Sequence, residues 1–382
     1  MCNVEGVRFM KVAYLLGSLP RGGTETLMLD VFRNADKAPY EFIGIHRKGG
    51  AYRDDFYATG QRMIQLAPKR FGYVRYLIQL RRTLQSEGVN VVHAQHWLDG
   101  LYARLASLGM DIRVMITLHG FFSKKGINGK LCSWSIRKAD DVCFVSQYEK
   151  EWYQARYSIQ DDKCHVIYNG IDFSKIDSVV EGGKCKVEGE RLRLCMVGNF
   201  NRVRSQLVIV KSLKYLHHSG VSNLDFDFVG KRVDVHGALY DECVRICEEN
   251  HLDYVHFMGG RDDVPSILKA CDGFVYSSAN DTFGIAVVEA MAAGLPVVVN
   301  DWPVMKEVCG DGGSVSIFRS DDVMDCATKI QQLLNRLIND KENLQRECEQ
   351  QSLLVRQEYS IEAYINRLTN IYTCYDNKRK GN

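Results

Sequence analysis

The chain has 382 residues, 46% of them hydrophobic and 25% charged, with a formal net charge of +2. That length and polarity fit a soluble globular protein of about two to three domains. The near-neutral balance argues against nucleic acid as a partner, because nucleic-acid-binding chains carry a basic excess or stripe. No apolar run approaches the roughly 18 residues of a membrane-spanning helix. The apolar start of the chain follows Glu5 and lacks an Ala-x-Ala-like site, so it reads as a first strand and not as a signal peptide. Thirteen cysteines are scattered singly, with no C-x-x-C pair and no Cys/His cluster at zinc spacing. Buried, reduced thiols in a cytosolic protein are the expectation.

Residues 9–16 (FMKVAYLL) predict a strand, followed by the loop GSLPRGGTET and a helix in which Leu27 and Val31, and Met28 and Phe32, recur at i, i+4. Thr24 is placed to cap that helix, and Gly22-Gly23 let backbone amides approach a ligand. Strands are expected at 41–46, 62–66, 89–94, 112–118, 141–146 and 164–168, separated by helical stretches. This alternation predicts a doubly wound parallel sheet, whose ligands lie beyond the carboxyl ends of the strands. His93, His119 and Ser146 hold such positions. A Gly-, Lys- and Glu-rich stretch without apolar periodicity then places a linker at about 169–190, crossed by few contacts.

The second half opens with a strand at 191–198, the loop NFNRVRSQ, and a helix carrying Leu207, Val210, Leu213 and Leu216. Strands at 224–230 and 253–258 follow, then a helix with Asp263 at its start and Pro265 in its first turn. Asp225 and Asp227 alternate with Leu224, Phe226 and Phe228 and read as the polar face of a strand, not as a metal site. From Gly273 to Asp301 one β-α-β unit is legible. Phe274 to Tyr276 form a strand, a polar turn follows, Gly284 to Ala293 are good helix formers, Gly294 stops the helix, and Leu295 to Val299 suit a strand buried on both faces. Asp281 lies in the turn and Glu289 in the second turn of the helix. Between them Thr282, Phe283 and Gly284 offer backbone amides where a helix start favours an anion, and Gly284 has no side chain to hold a phosphate off. The tail from about 321 to 375 is helical by pattern.

The frame D-T-F-G-x-x-x-x-E-A-M-A-x-G-x-P-V, an acid, seven residues and a second acid, resembles the signature of the retaining glycosyltransferases of family four. In that family a Glu, seven residues and a Glu occupy the sugar-nucleotide site of a two-domain GT-B fold. Gly22, Gly23, Thr24 and Glu25 match its Gly-Gly-x-Glu loop facing the interdomain cleft. His119-Gly120 match its His-Gly, whose imidazole lies near the donor sugar and leaving phosphate, and residues 169–172 match its N-G-I-D. This chain departs from the pattern at Asp281, where Glu is usual, at Asn199, where Arg is expected, and at Arg204, where Lys would stand with Arg202 two residues earlier. An Arg keeps the charge and grips two phosphate oxygens.

The resemblance implies two Rossmann-like α/β domains facing a central cleft: 1–175 for the acceptor, 190–355 for the nucleotide sugar, and a helix at 356–382 returning to the first domain. It implies a cytoplasmic enzyme of polysaccharide or glycan synthesis that moves a sugar from a nucleotide-diphosphate donor to a saccharide or lipid-linked acceptor with retention, needing neither metal nor other cofactor. His119 and Asp281 would be catalytic, and Arg202, Arg204, Thr282, Phe283, Gly284 and Glu289 would bind donor. Two alternatives stay open, because fold does not settle chemistry: a sugar-nucleotide epimerase, and a scaffold that binds nucleotide sugar without turnover. The segment FFSKKGINGKL after His119 and the helix at 71–84, with Phe71, Tyr73, Arg75, Tyr76, Arg81 and Arg82, combine aromatics with cations. Such sets rest peripherally on anionic membranes, the inner face of the cell membrane in this reading. A solvated helix face and a mobile loop form the other reading.

Overall fold

The computed structural model describes residues 10–68, 72–123, 125–179, 191–201, 203–221, 223–233 and 238–380. Phe71, Arg202 and the second half of the expected linker, from 180 to 190, lie outside them. The chain forms two compact units, one running through Ile171 and taking in the chain again from Ile361, the other spanning Asp172–Ser360.

The first unit runs β1 (Lys11–Leu16), α1 (Gly23–Arg33), β2 (Glu41–His46), α2 (Arg53–Ala58), β3 (Met63–Gln65), α3 (Tyr73–Ser86), β4 (Val91–Ala94), α4 (Trp97–Ala106), β5 (Arg113–Leu118), α5 (Gly126–Lys138), β6 (Asp141–Phe144), α6 (Gln147–Tyr157) and β7 (Cys164–Val166). Its strands lie in the order β3-β2-β1-β4-β5-β6-β7, every neighbouring pair parallel. Side chains alternate across this sheet as a two-residue period requires. Ala13, Leu15, Val92 and Ile116 pack against α3, α4, α5 and α6 through Tyr76, Trp97, Ile136 and Tyr153. Val12, Tyr14 and Leu16 face Leu27, Val31 and Phe32 of α1 on the other side.

The second unit runs α7 (Ser174–Asp177), β8 (Leu192–Val197), α8 (Gln206–His218), β9 (Leu224–Val229), α9 (Ala238–Glu249), β10 (Val255–Gly259), α10 (Val264–Ala270), β11 (Gly273–Tyr276), α11 (Ile285–Ala292), β12 (Val297–Asn300), α12 (Pro303–Cys309), β13 (Val315–Phe318), α13 (Val323–Asn339) and α14 (Lys341–Tyr359). The order β10-β9-β8-β11-β12-β13 is again wholly parallel. In each sheet the chain steps outward one way from its first strand and then returns to the other side of it. The switch falls between β1 and β4 in one unit and between β8 and β11 in the other. Loops leaving those strands at their carboxyl ends are where such sheets hold ligands.

The final helix, α15 (Ile361–Lys380), belongs to the first unit, where Tyr364, Leu368 and Tyr372 are buried beside Tyr14. Tyr372 meets His93 Nδ1 at 2.6 Å, and Thr117 Oγ1 meets Nε2 at 2.6 Å. His93 is therefore a core hydrogen-bonding residue inside β4. Burial, with His119 nearby, pulls its pKa down to about 3. The unfolded chain takes up this proton below about pH 6.5 while the folded chain does not, so stability falls as pH drops from 6.5 towards 3. Denaturant unfolding at pH 5 should show about 2 kcal/mol less stability from this residue than at pH 7. His93→Gln should flatten that dependence; an unchanged slope would show that the ring does not stay neutral.

Several local expectations are corrected. The N-cap of α1 is Gly22, not Thr24, because the chain turns helical two residues earlier and the Glu25 carboxylate folds back over Gly22, into space a side chain there would fill. Asp227 is buried rather than on a polar face, since β9 is flanked by two strands and covered; it pairs with Arg193 at 3.3 Å. The chain from 169 to 179, expected to be part of a linker crossed by few contacts, is packed: Ile171, Phe173 and Ile176 are buried, and Gly170 lies against Tyr364 and Ile361. Ser146 caps α6 by accepting from Glu149 N. Among the aromatics and cations offered for a membrane, Tyr76 is buried, Phe122 packs on the core against His96, and Arg81 binds the carbonyls of Ala106 and Leu108. Ten of the described cysteines, from Cys132 to Cys348, are free and buried. No helix among the described residues is long and apolar enough to cross a membrane.

Candidate active site

The loops leaving β8 and β11 meet at the switch point of the second unit and are stitched together. Arg204 and Ser278 form an antiparallel bridge, flanked by Ala279 N to Val203 O at 2.9 Å and Ser205 N to Ser277 O at 3.2 Å. The bridge lays the Arg204 guanidinium over the Tyr276 ring, 5.2 Å from its centre. From there Nη1 donates to Ser278 Oγ at 3.3 Å and to Asp281 Oδ2. Tyr276, fully buried at the end of β11, donates its hydroxyl to the same Oδ2 at 2.5 Å. Burial and then the Asp281 charge push the Tyr276 pKa well up, so its hydroxyl stays a donor. Burial opposes the charge on Arg204, but Tyr276 and Asp281 outweigh it and keep the guanidinium protonated.

The turn itself is held by other residues. Asn300 accepts from Ser278 N at 3.0 Å and donates to Ser278 O at 2.9 Å, and Trp302 Nε1 donates to the Asp281 carbonyl at 2.8 Å. The Asp281 carboxylate is thus engaged with two side chains and not with the backbone of its turn. Gly284 follows in the left-handed region at φ 86° and starts α11; a side chain there would be strained and would strike Met305. Phe283 sends its ring into the core against Tyr359, so the ring is closed to a ligand. Glu289 sits half-buried in the second turn of α11, and Thr282 is half-buried in the loop.

Arg204 Nε, a charged donor within this cluster, is buried with no hydrogen-bond partner among the described residues. It faces Gly198, where a side chain would come within 3.5 Å of it. Asn199 cannot stand in for an arginine, because its Oδ1 accepts from Lys231 N at 2.8 Å and ties the β8 loop to the β9 loop. Gly230 makes that contact possible by lying flat on the Gly198 carbonyl.

Two family models cover most of the chain in succession, Glycosyltransferase Family 4 over residues 21–175 and Glycosyl transferases group 1 over residues 184–352. The chain belongs to the family-four-like glycosyltransferases. Its two doubly wound parallel sheets are those of the GT-B fold: Anabaena Alr3699/HepE, solved in complex with UDP, superposes with a TM-score of 0.82 at 16% identity, covering 96% of this chain and 100% of that one. Among sequence relatives, the putative glycosyltransferase EpsF of Bacillus subtilis is 24% identical over 79% of this chain and 82% of its own length. An Escherichia coli UDP-Gal:alpha-D-GlcNAc-diphosphoundecaprenol alpha-1,3-galactosyltransferase is 25% identical over 60% and 62%.

In the first unit of this glycosyltransferase, His119 follows β5 and its Nε2 lies 2.9 Å from Gln95 Oε1. An amide oxygen only accepts, so Nε2 carries the proton. Burial, then His96, pulls the His119 pKa down to about 3 and keeps the ring neutral. Gly22, Gly23 and Thr24 open α1 from the β1 loop, on the same edge of the sheet as His119. Arg202 lies outside the described residues. Sequence reasoning missed Tyr276, Asn300, Trp302 and Gln95. Gln95 and Asn300, each directly after a predicted strand, carried a positional signal; Tyr276 and Trp302 did not.

Proposed function

We propose that this glycosyltransferase moves a sugar from a UDP-sugar to a saccharide or lipid-linked saccharide, with retention at the anomeric carbon and without a metal, in polysaccharide or glycan synthesis. The observation that carries the reading is the buried, partnerless Arg204 Nε at the switch point of the second unit. A buried donor left unsatisfied calls for an acceptor that the protein itself does not supply, and the diphosphate of a donor supplies one with charge. UDP is favoured by the UDP bound to HepE and by the UDP-sugar and diphosphoundecaprenol acceptor named for the Escherichia coli relative.

In this mechanism Arg204 passes from Asp281 to the β-phosphate, and the amides of Phe283 and Gly284 at the start of α11 share the charge that develops on the leaving group. Asp281 stays anchored by Tyr276 and turns its other oxygen to the sugar hydroxyls. Glu289 accepts from the ribose hydroxyls. His119 serves as an uncharged hydrogen-bonding contact. A leaving phosphate oxygen takes the acceptor proton, as the family resemblance implies. Glu289→Ala should cost about 1.5–3 kcal/mol of UDP affinity, measured by calorimetry; unchanged affinity would remove the ribose role.

The test of function is incubation with UDP-glucose, UDP-galactose and UDP-N-acetylglucosamine, with and without lipid-linked saccharide. Release of UDP that depends on acceptor, with a product of unchanged anomeric configuration, is expected. An isomerised nucleotide sugar formed without acceptor would indicate an epimerase, and binding without any turnover a scaffold.

A further inference from the structure

Two helices on one face of the first sheet, α3 and α5, contain no acidic residue, although the chain as a whole is close to neutral. All but Tyr57 on α2 of the described exposed large hydrophobic residues of this unit gather on or beside that helical layer: Tyr73, Val74 and Ile78 on α3, Leu108 after α4, and Ile127, Leu131 and Trp134 on α5. On α5 the pattern is sharp. Cys132, Ser135 and Ile136 are buried against the sheet, while Ile127, Leu131 and Trp134 recur at i, i+4, i+7 on the solvent side, Ile127 with 74% of its surface exposed. Lys125, Lys130, Arg137 and Lys138 surround this stripe, all exposed, and no described carboxylate pairs with any of them.

A solvated helix face has no use for an apolar stripe, and one meant for a protein core would not be ringed by four unpaired cations. We propose that α5, flanked by α3, is a docking surface for an anionic lipid bilayer, with Ile127, Leu131 and Trp134 entering the headgroup boundary and the cations meeting lipid phosphates. The charge decides the occupant: a second copy of this face would set cation against cation, whereas an anionic membrane neutralises every one of them. Aromatic and aliphatic side chains supply buried apolar area, and the flanking lysines and arginines add about fivefold each in binding. Of the residues the sequence pattern offered, the segment at 121–131 supplies Lys125, Ile127, Lys130 and Leu131, whereas Tyr76, Phe122 and Arg81 turn inward or bind carbonyls; Trp134, Arg137 and Lys138 extend the set. The inference stands on the first unit alone and does not require the donor reading.

Co-sedimentation of the full chain with vesicles tests it. Binding to phosphatidylcholine vesicles containing phosphatidylglycerol is expected, falling as salt is raised, with little binding to phosphatidylcholine alone. Lys130→Glu/Arg137→Glu/Lys138→Glu should weaken it by about 100-fold or more, and Ile127→Ser/Trp134→Ser by about tenfold, both with the wild-type melting temperature. No binding, equal binding to the neutral vesicles, or binding indifferent to both sets of substitutions would overturn the proposal. So would a dimer that the same substitutions dissociate. Vesicle binding by a protein that ignores UDP would leave this inference intact and sink the donor reading instead.

Discussion

Arg204→Gln is expected to weaken UDP binding by roughly 100-fold while leaving uridine within about twofold, because only the diphosphate carries the charge that Nε and the guanidinium meet. The same substitution strands a carboxylate. Asp281 would keep its bond from Tyr276 but lose its cation in a largely desolvated site, and breaking a buried pair from one side is costly. A stability loss of roughly 2–4 kcal/mol is expected, below that of a fully enclosed pair because the two side chains retain 23% and 12% exposure. Arg204→Gln/Asp281→Asn removes both charges together. Its melting temperature should return towards wild type while UDP binding stays weak. If UDP affinity recovers together with stability, Arg204 acts on folding and does not touch the phosphates.

Asp281→Asn should lower kcat by about 100-fold or more, the scale for losing one electrostatic contact to a transition state, without weakening UDP. The geometry makes this a clean substitution. Asn300 and Trp302 hold the turn, so an amide at 281 leaves the loop in place and its oxygen can still accept from Tyr276 and Arg204, although Arg204 loses its counter-charge and some stability with it. Tyr276→Phe should reproduce the defect on a smaller scale, about tenfold in kcat, by removing the hydroxyl that fixes the carboxylate. Added to Asp281→Asn, the Tyr276→Phe substitution should lower kcat almost no further. Losses that simply multiply would mean that Tyr276 works independently of Asp281, and near-normal turnover of Asp281→Asn would end the catalytic reading of that residue.

The β-α-β unit around Asp281 was legible because its signals are local: a short apolar run at Gly273–Tyr276, a good helix-forming stretch, Gly294 with φ 82° as the stop, and a valine-rich strand at 297–300. The doubly wound plan followed from alternation of such segments. What stayed hidden is non-local. Arg204 and Asp281 are 77 positions apart and meet only because parallel pairing sets β8 beside β11. Tyr276 reads as one more core residue of a buried strand, and nothing in the sequence shows that its hydroxyl turns to a carboxylate. Asn199 stood out only as a departure from the expected Arg, and it is a clamp between loops. The linker was misplaced at its start because Asn169 and Gly170 carry turn-like composition, whereas Gly170 lets Tyr364 and Ile361 approach closely.

The structure of the protein with UDP bound tests the central claim most directly. A diphosphate oxygen is expected at about 3 Å from Arg204 Nε, with the guanidinium drawn off Asp281 and the phosphates at the amides that begin α11. UDP seated elsewhere, with Arg204 still paired to Asp281 and Nε still without a partner, would contradict the account.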